Sequence, residues 1–140
     1  MNEVVEIIQK KIQEKFTDAL LSFEMNYDFP VFVVQKEQVK NVLSLLKNDK
    51  DLNFHFLTTL CGTHFPDNEK DSEFGIMYQL HNMPKNWRIR VKIFMPKTNL
   101  DVPTITDLWK TANWMERQEY DFFGFNFVGH PNLTRILNMD

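Results

Sequence analysis

Cysteine is nearly absent from this 140-residue chain: Cys61 stands alone. A single thiol excludes a disulfide within the chain and fits a reducing compartment. It also excludes a self-contained iron–sulfur centre, because cysteine-ligated clusters take about four thiolates. Glycine is scarce as well, with four isolated residues, Gly62, Gly75, Gly124 and Gly129. The chain therefore has no G-x-G-x-x-G turn, no Walker loop and no G-x-S-x-G elbow, and NADH or flavin phosphates find no evident seat. No apolar run reaches the roughly 18 residues that a spanning helix needs. Met1, Asn2 and Glu3 lack the basic start and apolar block of a signal peptide. Work at a membrane would require other subunits as the anchor. Nor is there an excess of positive charge. The net charge is −3, which argues against nucleic-acid binding. Arg88, Arg90 and Lys92 do cluster, but they alternate along one expected strand and read as a solvated sheet face.

What is present is core-forming material. Hydrophobic residues make up 43% of the chain and thirteen residues are Phe, so disorder is excluded by composition. The length suits one domain over residues 1–140. Val4, Ile8, Ile12 and Phe16 recur every fourth residue and predict an amphipathic helix over 3–17. Residues 20–34 predict two short strands, with Asn26 to Pro30 as the turn between them. Val39, Val42, Leu43 and Leu46 predict a second helix over 36–47. Residues 52–65 are ambiguous, since Phe54, Leu57 and Leu60 have helical spacing while Phe54, Phe56 and Thr58 have strand spacing. The expectation is a short helical turn leading into a strand near Cys61.

Residues 73–81 and 87–95 are the clearest strands, with Phe74, Ile76, Tyr78 and Leu80 on one face, and Trp87, Ile89, Val91, Ile93 and Met95 likewise. A hairpin loop containing Pro84 joins them. Residues 96–103 predict a loop. A long helix is then expected from an N-cap at Thr104, with Asp107 three residues on, to a C′ glycine at Gly124. A break near residues 113–116 is allowed for. Phe125 and Phe127 follow in a short extended piece, then a turn at residues 129–132. The predicted architecture is α+β: a two-layer domain with a mostly antiparallel or mixed sheet packed against helices.

Polar and aromatic residues are densest over residues 112–124. On a helix, Asn113, Arg117 and Asp121 stack at i, i+4 and i+8, so Arg117 can pair with Asp121, and Glu116 with Tyr120. Two readings stand side by side. One is a structural or interface ion-pair network, the other an acid–base site using Glu116 or Glu119 with His130. Structural ion pairs perturb carboxylates as readily as catalysis does, which weights the first. Cys61 and His64 have a Cys-x2-His spacing, but a structural zinc needs four ligands.

The run over 112–124, with the Gly-His-Pro-Asn-Leu turn at 129–133 and Arg135, Ile136 and Leu137 after it, closely resembles the signature of the C-type, or thirty-kilodalton, subunit family of respiratory complex I. That signature runs A-N-W-x-E-R-E-x-x-D, two hydrophobic residues and G, then G-H-P-[DN]-L-R-R-I-L. Asn113, Trp114, Glu116, Arg117, Glu119, Asp121, Gly124, Gly129, His130, Pro131 and Arg135 fall within the matching run. Weaker similarity covers 30–34, 52–60, the hairpin strands and 102–104. Gln118 and Thr134 depart from the pattern, each removing a charge.

The resemblance implies a cofactor-free subunit of the peripheral arm of proton-translocating NADH:quinone oxidoreductase, on the cytoplasmic or matrix side of the membrane. It further implies a partner of the D-type, or forty-nine-kilodalton, class and adjacent iron–sulfur subunits, with FMN and the clusters held by those partners. The motif residues would fix a corner and dock a partner. No catalytic or metal residue is implied on this chain. Family members usually continue with a further G-H-P segment, so the chain reads as a core lacking its docking tail, with apolar surface expected at Phe125, Phe127, Leu133 and Ile136. A related membrane-bound hydrogenase or ferredoxin-driven quinone reductase would use the same domain. A small hydrolase on Glu119 and His130, or a metal module on Cys61 and His64, are the alternatives of a different class.

Overall fold

A computed structural model describes residues 2–26 and 29–131. The element order is α1 (Asn2–Lys15), β1 (Leu20–Asn26), β2 (Phe29–Val34), α2 (Val39–Asn48), β3 (Phe56–His64), β4 (Phe74–Asn82), β5 (Trp87–Met95), β6 (Asp101–Pro103), α3 (Ala112–Phe123) and β7 (Asn126–Val128). Strands β1 to β5 form one mixed sheet in the order β1-β2-β5-β4-β3. Its pairings are antiparallel except for β2 with β5, which run parallel. The α+β class expected from the sequence is the class observed.

The core sits between this sheet and the helices. Val4, Ile8 and Ile12 of α1 and Val42, Leu43 and Leu46 of α2 are fully buried. They share one apolar cluster with Phe32, Tyr78 and Val91 of the sheet. The hairpin register pairs Tyr78 with Val91 and Leu80 with Ile89, so the alternating apolar residues meet across strands. Lys11 clamps α1 to the turn after α2 through Asp49 at 2.7 Å.

Three expectations need correction. Residues 56–64 are strand throughout, without a helical turn. A register shift between Leu57 and Thr59 inserts one residue, so Leu57 and Leu60 both turn to the core. This bulge creates the three-residue spacing that mimics a helix.

The last helix begins at Ala112, not after Thr104. After Thr104 the chain makes isolated turns instead, with Leu108 and Trp109 N–H donating to the Ile105 carbonyl and Ala112 N–H to that of Trp109, while Thr104 N–H donates to the Val128 carbonyl at 2.9 Å and Ile105 N–H to Glu116. The loop expected over 96–103 contains β6, which pairs in parallel with β7. That small sheet ties the two flanks of α3 together. Gly124 ends α3 in the left-handed region (φ 81°), its N–H donating to Tyr120, as expected of a glycine stop.

Candidate functional site

The site built by the motif is the corner where α3 meets β3, β6 and β7. Glu116 is its centre. This carboxylate is completely shielded from solvent, accepting the Thr104 hydroxyl at 2.6 Å and the Ile105 amide at 2.8 Å. Burial pushes its pKa up to about 7, although the two donors hold the charged form. The Tyr78 hydroxyl lies buried without a hydrogen-bond partner. Its pKa is raised by burial first and by the Glu116 charge second.

Glu119, one helical turn on, accepts the backbone N–H of Gly62 at 2.7 Å. Since β3 is an edge strand, this contact caps an amide that would otherwise project from the sheet margin. Partial burial raises the Glu119 pKa, and the Gly62 amide opposes that rise. Gly62 is needed for a further reason. A Cβ there would stand 2.6 Å from Phe125 Cε2 and 2.9 Å from Phe123 Cδ2. A glycine inside a strand often marks such a close approach, and this was the sequence signal available for a residue that the motif reading missed.

The turn after β7 folds back onto the start of α3. The His130 Nε2–H donates to the Asn113 carbonyl at 3.2 Å, and Gly129 adopts φ 88°. Pro131 is exposed. Arg135, Leu133 and Ile136 lie outside the described residues. Phe125 and Phe127, expected to be exposed, are 0% and 1% accessible, because they fill the space between α3 and the sheet. The exposed apolar side chains at this corner include Trp114, 52% accessible, Phe122, 80% accessible, and Val128, 54% accessible. Phe122 was not singled out in the sequence.

The expected pairing of Glu116 with Tyr120 is also corrected. The Glu116 carboxylate is given to Thr104 and Ile105 and not to Tyr120. Arg117 lies over the Trp114 ring, 5.8 Å from its centroid, with its Nε buried and unpartnered.

The acid–base reading would need Glu116 or Glu119 beside His130. Glu116 and Glu119 are instead each held by donors on other elements, and the His130 ring faces the Asn113 carbonyl. An open cavity of about 460 Å³ does lie at this corner, but it is lined by Thr106, Asp107, Lys110, Asn113, Gly129 and Pro131. Cys61 and His64 stand three apart on a regular stretch of β3, which puts them on opposite faces. His64 stacks on Phe74, 4.5 Å between ring centroids.

Residues 32–140 match the model of the family described as respiratory-chain NADH dehydrogenase, 30 kDa subunit. The chain belongs to this family. It is the family read from the motif over 112–137. The chain is 35% identical over 126 residues to the second C-type subunit of NADH-quinone oxidoreductase from Rhizobium etli (strain CIAT 652), covering 89% of this chain and 65% of that protein. It is 36% identical over 130 residues to the corresponding C-type subunit of Citrifermentans bemidjiense, covering 93% and 78%. The chain thus spans only part of the length of these relatives, just under two thirds of the first.

Among solved structures, the trypsin-resistant fragment (1-134) of Nqo5 superposes with a TM-score of 0.76 at 28% identity, covering 94% of this chain and 98% of that one. A chain of the membrane-bound sulfane sulfur reductase, an archaeal respiratory membrane complex, gives a TM-score of 0.76 at 25% identity, covering 96% and 76%. The fold of the family is thus the α+β arrangement described above. No described helix of this member is long and apolar enough to cross a membrane.

Proposed function

We propose that this family member is a cofactor-free structural subunit of proton-translocating NADH:quinone oxidoreductase. It holds redox-carrying neighbours in register for electron transfer from NADH to quinone. One observation carries the reading: the polar motif residues Glu116, Glu119 and His130 are consumed inside the corner, while Trp114 and Phe122 are left facing out. Rigid backbone anchoring beneath exposed aromatics is what a docking surface needs. Catalysis then belongs to the assembled complex, and this chain contributes by fixing distances.

In this reading the corner of Asn113, Trp114, Arg117, Asp121 and the His130–Pro131 turn faces a D-type, forty-nine-kilodalton partner, with iron–sulfur subunits adjacent. FMN and the clusters sit on those partners, and the assembly places the chain at the cytoplasmic face of the membrane, or the matrix face in a mitochondrion. Co-purification of the full-length protein tests this. A partner of the D-type class should accompany it, and NADH-driven flavin reduction should be found in the assembly. A purified chain that turns over a substrate alone would overturn it.

A second reading keeps the scaffold and changes the electron donor, as in a membrane-bound hydrogenase or ferredoxin-driven quinone reductase. The equal TM-score of the archaeal reductase chain supports it. The higher identity to the NADH-quinone oxidoreductase subunits favours the first.

A further inference from the structure

The two faces of the five-stranded sheet are unlike. One carries Phe32, Tyr78 and Val91 into the core. On the other, the pairing register sets Lys92 between Val33 and Met77, and Met77 beside Cys61. The next row sets Arg90 between Val31 and Gln79. Arg88 follows two residues earlier on β5, so three cations line one strand at a spacing of about 7 Å. No ion pair among the described residues engages any of them.

Arg90 is already ordered. Its guanidinium lies 4.4 Å from the Phe29 ring centroid, and its Nε donates to Gln79 Oε1 at 3.2 Å. An arginine fixed in this way loses little further freedom on meeting a carboxylate. Carboxylates on the described residues stand at the rim of this face: Glu24 on the outer strand β1, Glu119 beside Cys61 at the β3 edge, and an acidic stretch over 67–73 at the end where Phe65 meets Phe94.

We propose that this sheet face is a second docking surface, separate from the α3 corner, for an acidic segment of a neighbouring protein subunit. Its carboxylates would lie against Arg90 and Lys92 and its apolar side chains against Val33 and Met77. A protein segment suits the face better than a polyanion. The chain as a whole is negative, at −3, and its rim is acidic, so an extended nucleic acid or anionic bilayer would be repelled beyond the few cations. A short acidic segment feels only the local field, since screening limits its reach to about 8–10 Å.

Cys61, the sole thiol, reports on coverage. The assembled complex and the chain alone are treated with a maleimide, and the Cys61 peptide is followed by mass spectrometry. Labelling at least tenfold slower in the complex is expected. Lys92→Glu, and separately Arg90→Gln, should each weaken retention of the partner severalfold while far-ultraviolet dichroism stays that of the wild type. Equal labelling rates, or Lys92→Glu assembling as well as wild type, overturn the proposal. Lys92-dependent binding of the chain to phosphatidylserine vesicles overturns the choice of a protein partner. If no assembly forms around the wild-type chain, this inference falls together with the subunit reading. An assembly in which Cys61 stays open sinks this inference alone.

Discussion

The Glu116 carboxylate receives the Thr104 hydroxyl at 2.6 Å from a position with no solvent access. Twelve residues apart in the chain, these two set the geometry by which the segment after β6 is held against α3. A buried carboxyl has a consequence for pH. With its folded pKa near 7 against an ordinary value of 4.5, the folded state retains a proton that the unfolded chain releases. The contribution of Glu116 to stability is therefore fully present below pH 4.5 and declines as pH rises to about 7, a loss of about 3 kcal/mol. Glu116→Gln keeps an acceptor for the Ile105 amide and does not titrate. Melting temperatures at pH 5 and pH 8 should differ more in the wild type than in Glu116→Gln. Identical pH dependence in the two would contradict the buried, raised carboxyl.

Gly62 is where α3 and its trailing phenylalanines lie closest to the sheet. Gly62→Ala places a methyl into Phe125 and Phe123, and overpacking of this kind costs about 1–3 kcal/mol. Urea unfolding measures it, and the loss should exceed that of Gly124→Ala, where a Cβ has open space and only the positive φ to contend with.

Glu119→Gln should be mild, because an amide oxygen still accepts the Gly62 N–H. Glu119→Ala leaves that partly buried amide without its acceptor and should cost about 1–2 kcal/mol. Hydrogen exchange distinguishes this from a general loosening: the Gly62 amide should exchange faster in Glu119→Ala, while the amide of Val91, in the middle of the sheet, keeps its protection.

Arg117→Ala and Phe122→Ser separate docking from folding. Phe122 is 80% accessible, so its replacement should move stability by no more than about 0.5 kcal/mol. Arg117→Ala loses the contact with Trp114 and removes a poorly satisfied Nε. Both variants should lower co-purification of partner subunits at least fivefold. Parallel loss of assembly and of folded stability in Arg117→Ala would assign this residue to the interior instead.

Most of the sheet was legible because its residues alternate cleanly. Phe74, Ile76, Tyr78 and Leu80 announce β4, and the basic residues that alternate with Ile89, Val91 and Ile93 announce which face of β5 is open. What misled was local. The bulge at Leu57 gave a strand the spacing of a helix turn. Thr104 has the chemistry of an N-cap, yet its hydroxyl serves a carboxylate twelve residues away, a contact invisible to local pattern. The motif run forms the corner, but periodicity on α3 pointed Glu116 at Tyr120, where the fold uses Glu116 and Glu119 as anchors for backbone amides on other elements. Burial of Phe125 and Phe127 followed from that anchoring and had no signature of its own.

The parallel contact between Val31 and Arg90 sets a schedule for synthesis. β2 leaves the ribosome long before β5 exists, so the β1–β2 hairpin must wait, with one margin unsatisfied, until α2, β3, β4 and β5 have followed. Such high contact order slows folding. The β4–β5 hairpin, whose halves are adjacent in time, is the natural nucleus onto which the early strands later add, and nascent chains arrested before residue 95 should be markedly more prone to aggregate than those arrested after it.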